Sequence, residues 1–131
     1  MILSSNKPGV ETGALAAAKA AGVPFSGYTH KPDKISELFE LEELPKMFEV
    51  SKKLIDEADM IIFVGSEGSA YRKLVKRAKG TSLMRIDPKK VDGLRGIPLR
   101  GKKVYITGAR EQQYPGIAEK TFEALKGALL K

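Results

Sequence analysis

Short apolar runs alternate with amphipathic stretches along the chain, and one run sets the frame. Met60-Ile61-Ile62-Phe63-Val64 is apolar without interruption and passes directly into Gly65-Ser66-Glu67-Gly68-Ser69. A strand with no polar side must be covered on both faces, so this run predicts the centre of a parallel sheet. The small-residue turn after it predicts a helix opening near Ala70, capped by Ser66 or Ser69. The pattern repeats on either side. Residues 1–5 are a short apolar start, Asn6-Lys7-Pro8-Gly9 is a turn, and an alanine-rich helix runs to Ala21, stopped by Gly22 and Pro24. A second strand over 25–28 enters a polar loop. Over 35–57, Leu38, Leu41, Leu44, Phe48, Leu54 and Ile55 recur at mixed helical spacing around Pro45, which predicts two helices or one broken one. A helix over 70–79, a fourth strand over 82–86, a fifth over 104–107 and a closing helix carrying Ile117, Thr121, Leu125 and Leu129 complete the series.

Strands alternating with helices predict one α/β domain over 1–131. Its expected core is a doubly wound, mainly parallel five-stranded sheet in the order 2-1-3-4-5, with helices on both faces. In that order strands 1 and 3 are neighbours, and the crevice opens at their carboxyl ends. The turn at Lys7-Pro8-Gly9 and the turn at 65–69 are then expected to face each other across one site. Only 87–103 breaks the rhythm, with Pro88, Gly93, Gly96, Pro98 and Gly101 set among Lys89, Lys90, Arg95, Arg100, Lys102 and Lys103. An exposed hairpin or loop is expected there, with a basic flap as the functional alternative.

Composition narrows the chemistry. Lys and Arg total 23 against 16 Asp and Glu, and the formal charge of +7 favours phosphate-bearing partners, from nucleotides to nucleic acid. Without cysteine there is no disulfide framework, thiol nucleophile or thiolate metal site. With His30 the only histidine, a zinc site or a Ser-His-Asp triad is hard to build. No apolar run approaches about 18 residues and the start passes straight into a strand, so a soluble, cytoplasmic protein without membrane span or signal peptide is expected.

The candidate ligand site gathers on the two turns. Gly9, Val10, Gly68 and Ser69 would present backbone N–H groups to an anion at helix N-termini, and Gly65 allows close backbone approach. Lys7 and Arg110 supply charge, and Ser66 a hydroxyl contact. Glu11 complements the helix dipole from the first turn, or alternatively holds a ribose hydroxyl or a pterin ring nitrogen. Neither G-x-x-x-x-G-K-[ST] nor G-x-G-x-x-G is present. No catalytic residue and no metal ligand is assigned.

Four stretches carry a family resemblance. Ser4-Ser5-Asn6-Lys7-Pro8-Gly9-Val10-Glu11-Thr12-Gly13-Ala14-Leu15 resembles the opening S-G-G-Q-T-G-V-D-R-A-A-L of molybdenum carrier proteins. Gly22-Val23-Pro24-Phe25-Ser26-Gly27-Tyr28-Thr29-His30-Lys31 is similar to their G-I-P-x-G-G-W-C-P-K, and Ala58-Asp59-Met60-Ile61-Ile62-Phe63 to their D-G-T-L-I-F. Val104-Tyr105-Ile106-Thr107-Gly108-Ala109-Arg110-Glu111, with Pro115-Gly116-Ile117, resembles their closing N-V-A-G-P-R-E-S and P-G-I. The resemblance implies a Rossmann-like domain of the wider group that includes lysine-decarboxylase-like phosphoribohydrolases and DNA-processing protein A. It also implies molybdenum cofactor (molybdopterin) as ligand, and a homo-oligomer. In this chain Ser5-Asn6 replaces the double glycine and Lys7-Pro8 the Gln-Thr, so Pro8 removes one N–H donor.

The leading expectation is a non-enzymatic binding or carrier protein for a phosphate-bearing small molecule, either molybdenum cofactor or a nucleotide. The alternatives are a nucleoside-monophosphate phosphoribohydrolase-like enzyme and a single-stranded nucleic-acid binder using 89–103. Against the enzyme stands Lys73, where the P-G-G-x-G-T-x-x-E turn of those hydrolases has its acid. Against the nucleic-acid binder stands the lack of an aromatic residue in the segment before Tyr105.

Overall fold

The computed structural model describes residues 1–130. Its strands are β1 (Ile2–Ser4), β2 (Phe25–Thr29), β3 (Glu42–Glu43), β4 (Met60–Val64), β5 (Ser82–Ile86) and β6 (Val104–Gly108). They form one sheet in the order β3-β2-β1-β6-β4-β5, every neighbouring pair parallel. The helices are α1 (Val10–Ala21), α2 (Lys34–Leu38), α3 (Met47–Glu57), α4 (Ser69–Arg77) and α5 (Ile117–Leu129), and a 3-10 segment covers Pro88–Gly96.

The α/β class and the doubly wound sheet agree with the sequence pattern. Two details of the sheet differ. It has six strands rather than five, because Glu42 and Glu43 pair with Tyr28 and Thr29 at the edge. A two-residue acidic strand has no apolar alternation to announce it. The order also differs from 2-1-3-4-5, because the last strand, β6, inserts between β1 and β4. The reason is burial on both faces. Val104, Tyr105 and Ile106 are all buried, whereas no residue of β5 is. A strand apolar on both sides belongs in the middle, and Ser82-Leu83-Met84-Arg85-Ile86 tolerates an edge.

Alternation along the strands divides the core into two layers. Ile2, Met60, Ile62, Val64, Val104 and Ile106 face α1, α5 and the 3-10 segment. Leu3, Ile61, Phe63 and Tyr105 face α3 and α4 through Val50, Leu54, Ile55, Leu74 and Ala78. The segment over 87–103 is therefore neither a hairpin nor a flap. Val91, Leu94 and Leu99 are buried against the first layer, and the stretch carries the chain from β5 across to β6. The expected serine cap is also absent: α4 starts after Gly68 with no capping side chain.

Candidate functional site

Strand order decides which loops meet. With β2, β1 and β6 adjacent, the loops after their carboxyl ends converge, and they enclose a cavity of about 420 Å³. Ser5, Asn6, Lys7 and Pro8 line it from the first turn, Thr29, His30, Lys31 and Asp33 from the second, and Arg110, Glu111 and Gln112 from the loop after β6. Met47 and Val50 of α3 close one side.

The first and third loops are stitched together. Val10 N–H donates to Ala109 O at 3.1 Å and Glu111 N–H to Pro8 O at 3.0 Å. Gly9 sits in this seam at φ +129°, and a Cβ there would lie 2.5 Å from Ala109 O, so only glycine fits. Its own N–H donates to Thr12 Oγ1 at 3.1 Å. The backbone N–H groups of Gly9 and Val10, expected to bind an anion, are thus committed to the fold. Asn6 ties the first loop to the second, its Nδ2 donating to Lys31 O at 3.2 Å.

Glu11 is 3% exposed beneath these loops. The hydroxyls of Ser5 and Thr107 both donate to its carboxylate, so it pins β1, α1 and β6 to one another. Tyr105 lies nearby. Burial first, and the Glu11 charge second, push its phenol pKa up and keep it protonated.

The remaining carboxylates of the cavity wall are already occupied. Asp33 caps α2, with its Oδ1 accepting from Ser36 N–H at 2.8 Å, and that bond heads the causes that lower its pKa. Glu111 caps α5, accepting from the N–H groups of Gly116 and Ala118, which hold its pKa below the usual carboxylate range. Against these stand Lys7, Lys31 and Arg110. None of the three has an ion-pair partner among the described residues. The wall thus holds three cations without a direct ion pair beside two carboxylates whose oxygens are bonded to helix ends.

The second turn lies elsewhere. Gly65, Ser66, Gly68 and Ser69 do not line the cavity, because β6 separates β4 from β1. Gly65 N–H is bonded to Ile86 O at 2.9 Å, while Ser66 and Ser69 are exposed. Of the residues expected at the site, the structure brings together Lys7 and Arg110 as lining residues, with Gly9, Val10 and Glu11 holding the framework behind them. Sequence reasoning missed Asn6, Thr29, His30, Lys31 and Asp33. A usable signal existed: the Thr29–Asp33 stretch directly follows a strand, and β2 was expected beside β1.

The architecture has a known counterpart. The chain superposes on a solved structure from Syntrophus aciditrophicus SB described as "Putative molybdenum carrier protein", with a TM-score of 0.80 over 98% of this chain and 93% of that one. Sequence identity is 18%, so the likeness is one of fold. The fold implied by the sequence resemblance is therefore the fold observed. No family model and no curated protein sequence matches the chain. Among the described residues no helix is long and apolar enough to cross a membrane, and no group of three or more acidic or histidine side chains is placed to hold a metal ion.

Proposed function

We propose that the chain is a non-enzymatic carrier or binding protein for a phosphate-bearing small molecule, held in the cavity over β2, β1 and β6. The observation that carries this reading is the trio Lys7, Lys31 and Arg110, without ion-pair partners among the described residues, around a cavity whose carboxylates are committed to helix ends. A volume of about 420 Å³ suits a heterocycle bearing one phosphate. Molybdenum cofactor is the first ligand we name, supported by the sequence resemblance and by the description of the structural neighbour. A nucleotide is the second, because it presents the same pairing of flat ring and phosphate. We read the protein as a homo-oligomer on the same resemblance.

The hydrolytic alternative needs a carboxylate free to stabilise a developing oxocarbenium ion. Asp33 and Glu111 are engaged, and Lys73 lies on α4 away from the cavity. Release of free base from AMP would reverse this judgement.

Thermal unfolding against molybdopterin, AMP, a dinucleotide and single-stranded DNA tests the reading. A ligand of the folded state at 100 times its Kd adds about 2.7 kcal/mol, several degrees for a domain of this size. A shift with a phosphate-bearing small molecule is expected. Lys7→Ala and Arg110→Ala should each weaken that ligand by about tenfold, the worth of one charged hydrogen bond. A shift with DNA alone, or affinity unchanged in both variants, would remove the cavity from consideration.

A further inference from the structure

Charge is unevenly distributed across the sheet, and the basic end carries the longer of its two open edges. β5 pairs only with β4, so the backbone groups along its outer side have no strand partner among the described residues. Unlike β4, which is buried throughout, β5 leaves Ser82, Met84 and Arg85 exposed. The two segments that adjoin it in the chain, one over each face of the sheet, are basic. On α4, Arg72, Lys73, Lys76 and Arg77 are all exposed, Lys79 follows the helix, and the helix holds no acid. Lys89 and Lys90 are exposed on the other face. Over 72–103 the only acids are Asp87, which caps the 3-10 segment, and Asp92.

This arrangement works against the isolated protein. Arg72 and Lys76, like Lys73 and Arg77, are i, i+4 pairs of like charge, which repel on a helix surface. Arg77 is partly absorbed by the Phe48 ring at 5.0 Å, and Arg85 by Glu67 at 3.7 Å. Arg72, Lys73, Lys76, Lys79, Lys89 and Lys90 have no ion pair among the described residues. Charged edges discourage strand pairing with another copy of the same edge, since two such helices would be brought together. The other open edge of the sheet is acidic but only two residues long, Glu42–Glu43, and offers almost no ladder.

We infer that β5 is a docking edge for an extended acidic segment of another protein, which adds to the sheet as a seventh strand. The ladder specifies a polypeptide, and the cations specify its charge. Alternation specifies the rest. Arg85 lies on the α4 face, where it meets Glu67 and Gly65 O, while Met84 and Ile86 lie on the opposite face with the first core layer. A partner strand therefore carries acidic side chains toward α4 and apolar ones toward Met84, every second residue. The edge lies beyond β4 from the cavity, so this inference stands independently of the proposed ligand.

The test uses the full chain and a dye-labelled peptide of about ten residues alternating Glu and Val, read by fluorescence anisotropy at low salt. Saturable binding is expected. Methylating alternate backbone nitrogens of the peptide should weaken it by about tenfold or more, because the ladder is lost. Arg72→Glu with Lys76→Glu should weaken it by a similar factor without lowering the unfolding midpoint, both side chains being exposed. Four outcomes overturn the inference: no binding of the peptide; equal binding of the methylated peptide; tighter binding of single-stranded dT of equal charge; and self-association that the double reversal abolishes.

Discussion

Glu11 joins parts of the chain far apart in sequence, through Ser5 on one side and Thr107, 96 residues away, on the other. Glu11→Ala would leave two hydroxyls in a buried seam without their acceptor, at a cost of about 3 kcal/mol. Glu11→Gln keeps an acceptor and should cost less, so urea unfolding of both variants separates lost bonding from lost charge. A Glu11→Ala chain as stable as the parent would refute the pinning role. The residue's place in the first turn of α1 was legible from sequence. Its bond to Thr107 was not, because nothing local records which strand comes to lie beside β1. Glu111 makes a pH-dependent contribution. Its folded pKa is depressed by the Gly116 and then the Ala118 N–H, so its stabilisation is present above the unfolded carboxylate pKa and fades as pH falls through the lower folded value. The stability advantage of the parent over Glu111→Gln should be full at neutral pH and disappear on acidification. A difference that does not change with pH would assign it to something other than the charge.

The helices over the first core layer meet at unusually close range. A Cβ on Gly13 of α1 would stand 2.4 Å from Ala118 O of α5, so the two helices approach through a position where no side chain fits. Gly13→Ala should force them apart and destabilise the protein by about 1–3 kcal/mol, measured as a fall in the urea midpoint. An unchanged midpoint would show that the contact can open freely. At this scale the amphipathic helices and the Met60–Val64 strand were readable, since each carries a period or an unbroken run. The 3-10 segment was not, because its buried Val91 and Leu94 are a single i, i+3 pair, too short to announce a helix, and the glycines and basic residues around them read as solvent exposure. The edge strand Glu42–Glu43 is held by pairing with β2 rather than by any property of its own side chains.

For the molecule as a whole, composition and alternation fixed the class of fold, while the position of the cavity depended on an order of strands that alternation leaves undetermined. Residues near Gly65 were expected opposite Lys7; the insertion of β6 puts the Arg110–Gln112 loop there instead, with Thr29–Asp33 on the other side of β1. That insertion also governs how the chain can be built. β6 pairs with β1 on one side and β4 on the other, yet it comes after all five other described strands in chain order. As the chain leaves the ribosome, its two earlier blocks of strands have no common midline and expose apolar faces until the final strand and helix emerge. A chain ending at Lys103 should therefore lack a single cooperative unfolding transition and bind a hydrophobic dye, and a sharp transition in that fragment would disprove it. The segment after Lys103 acts as the keystone, so a nascent chain of this protein would keep apolar surface open until β6 and α5 have been made.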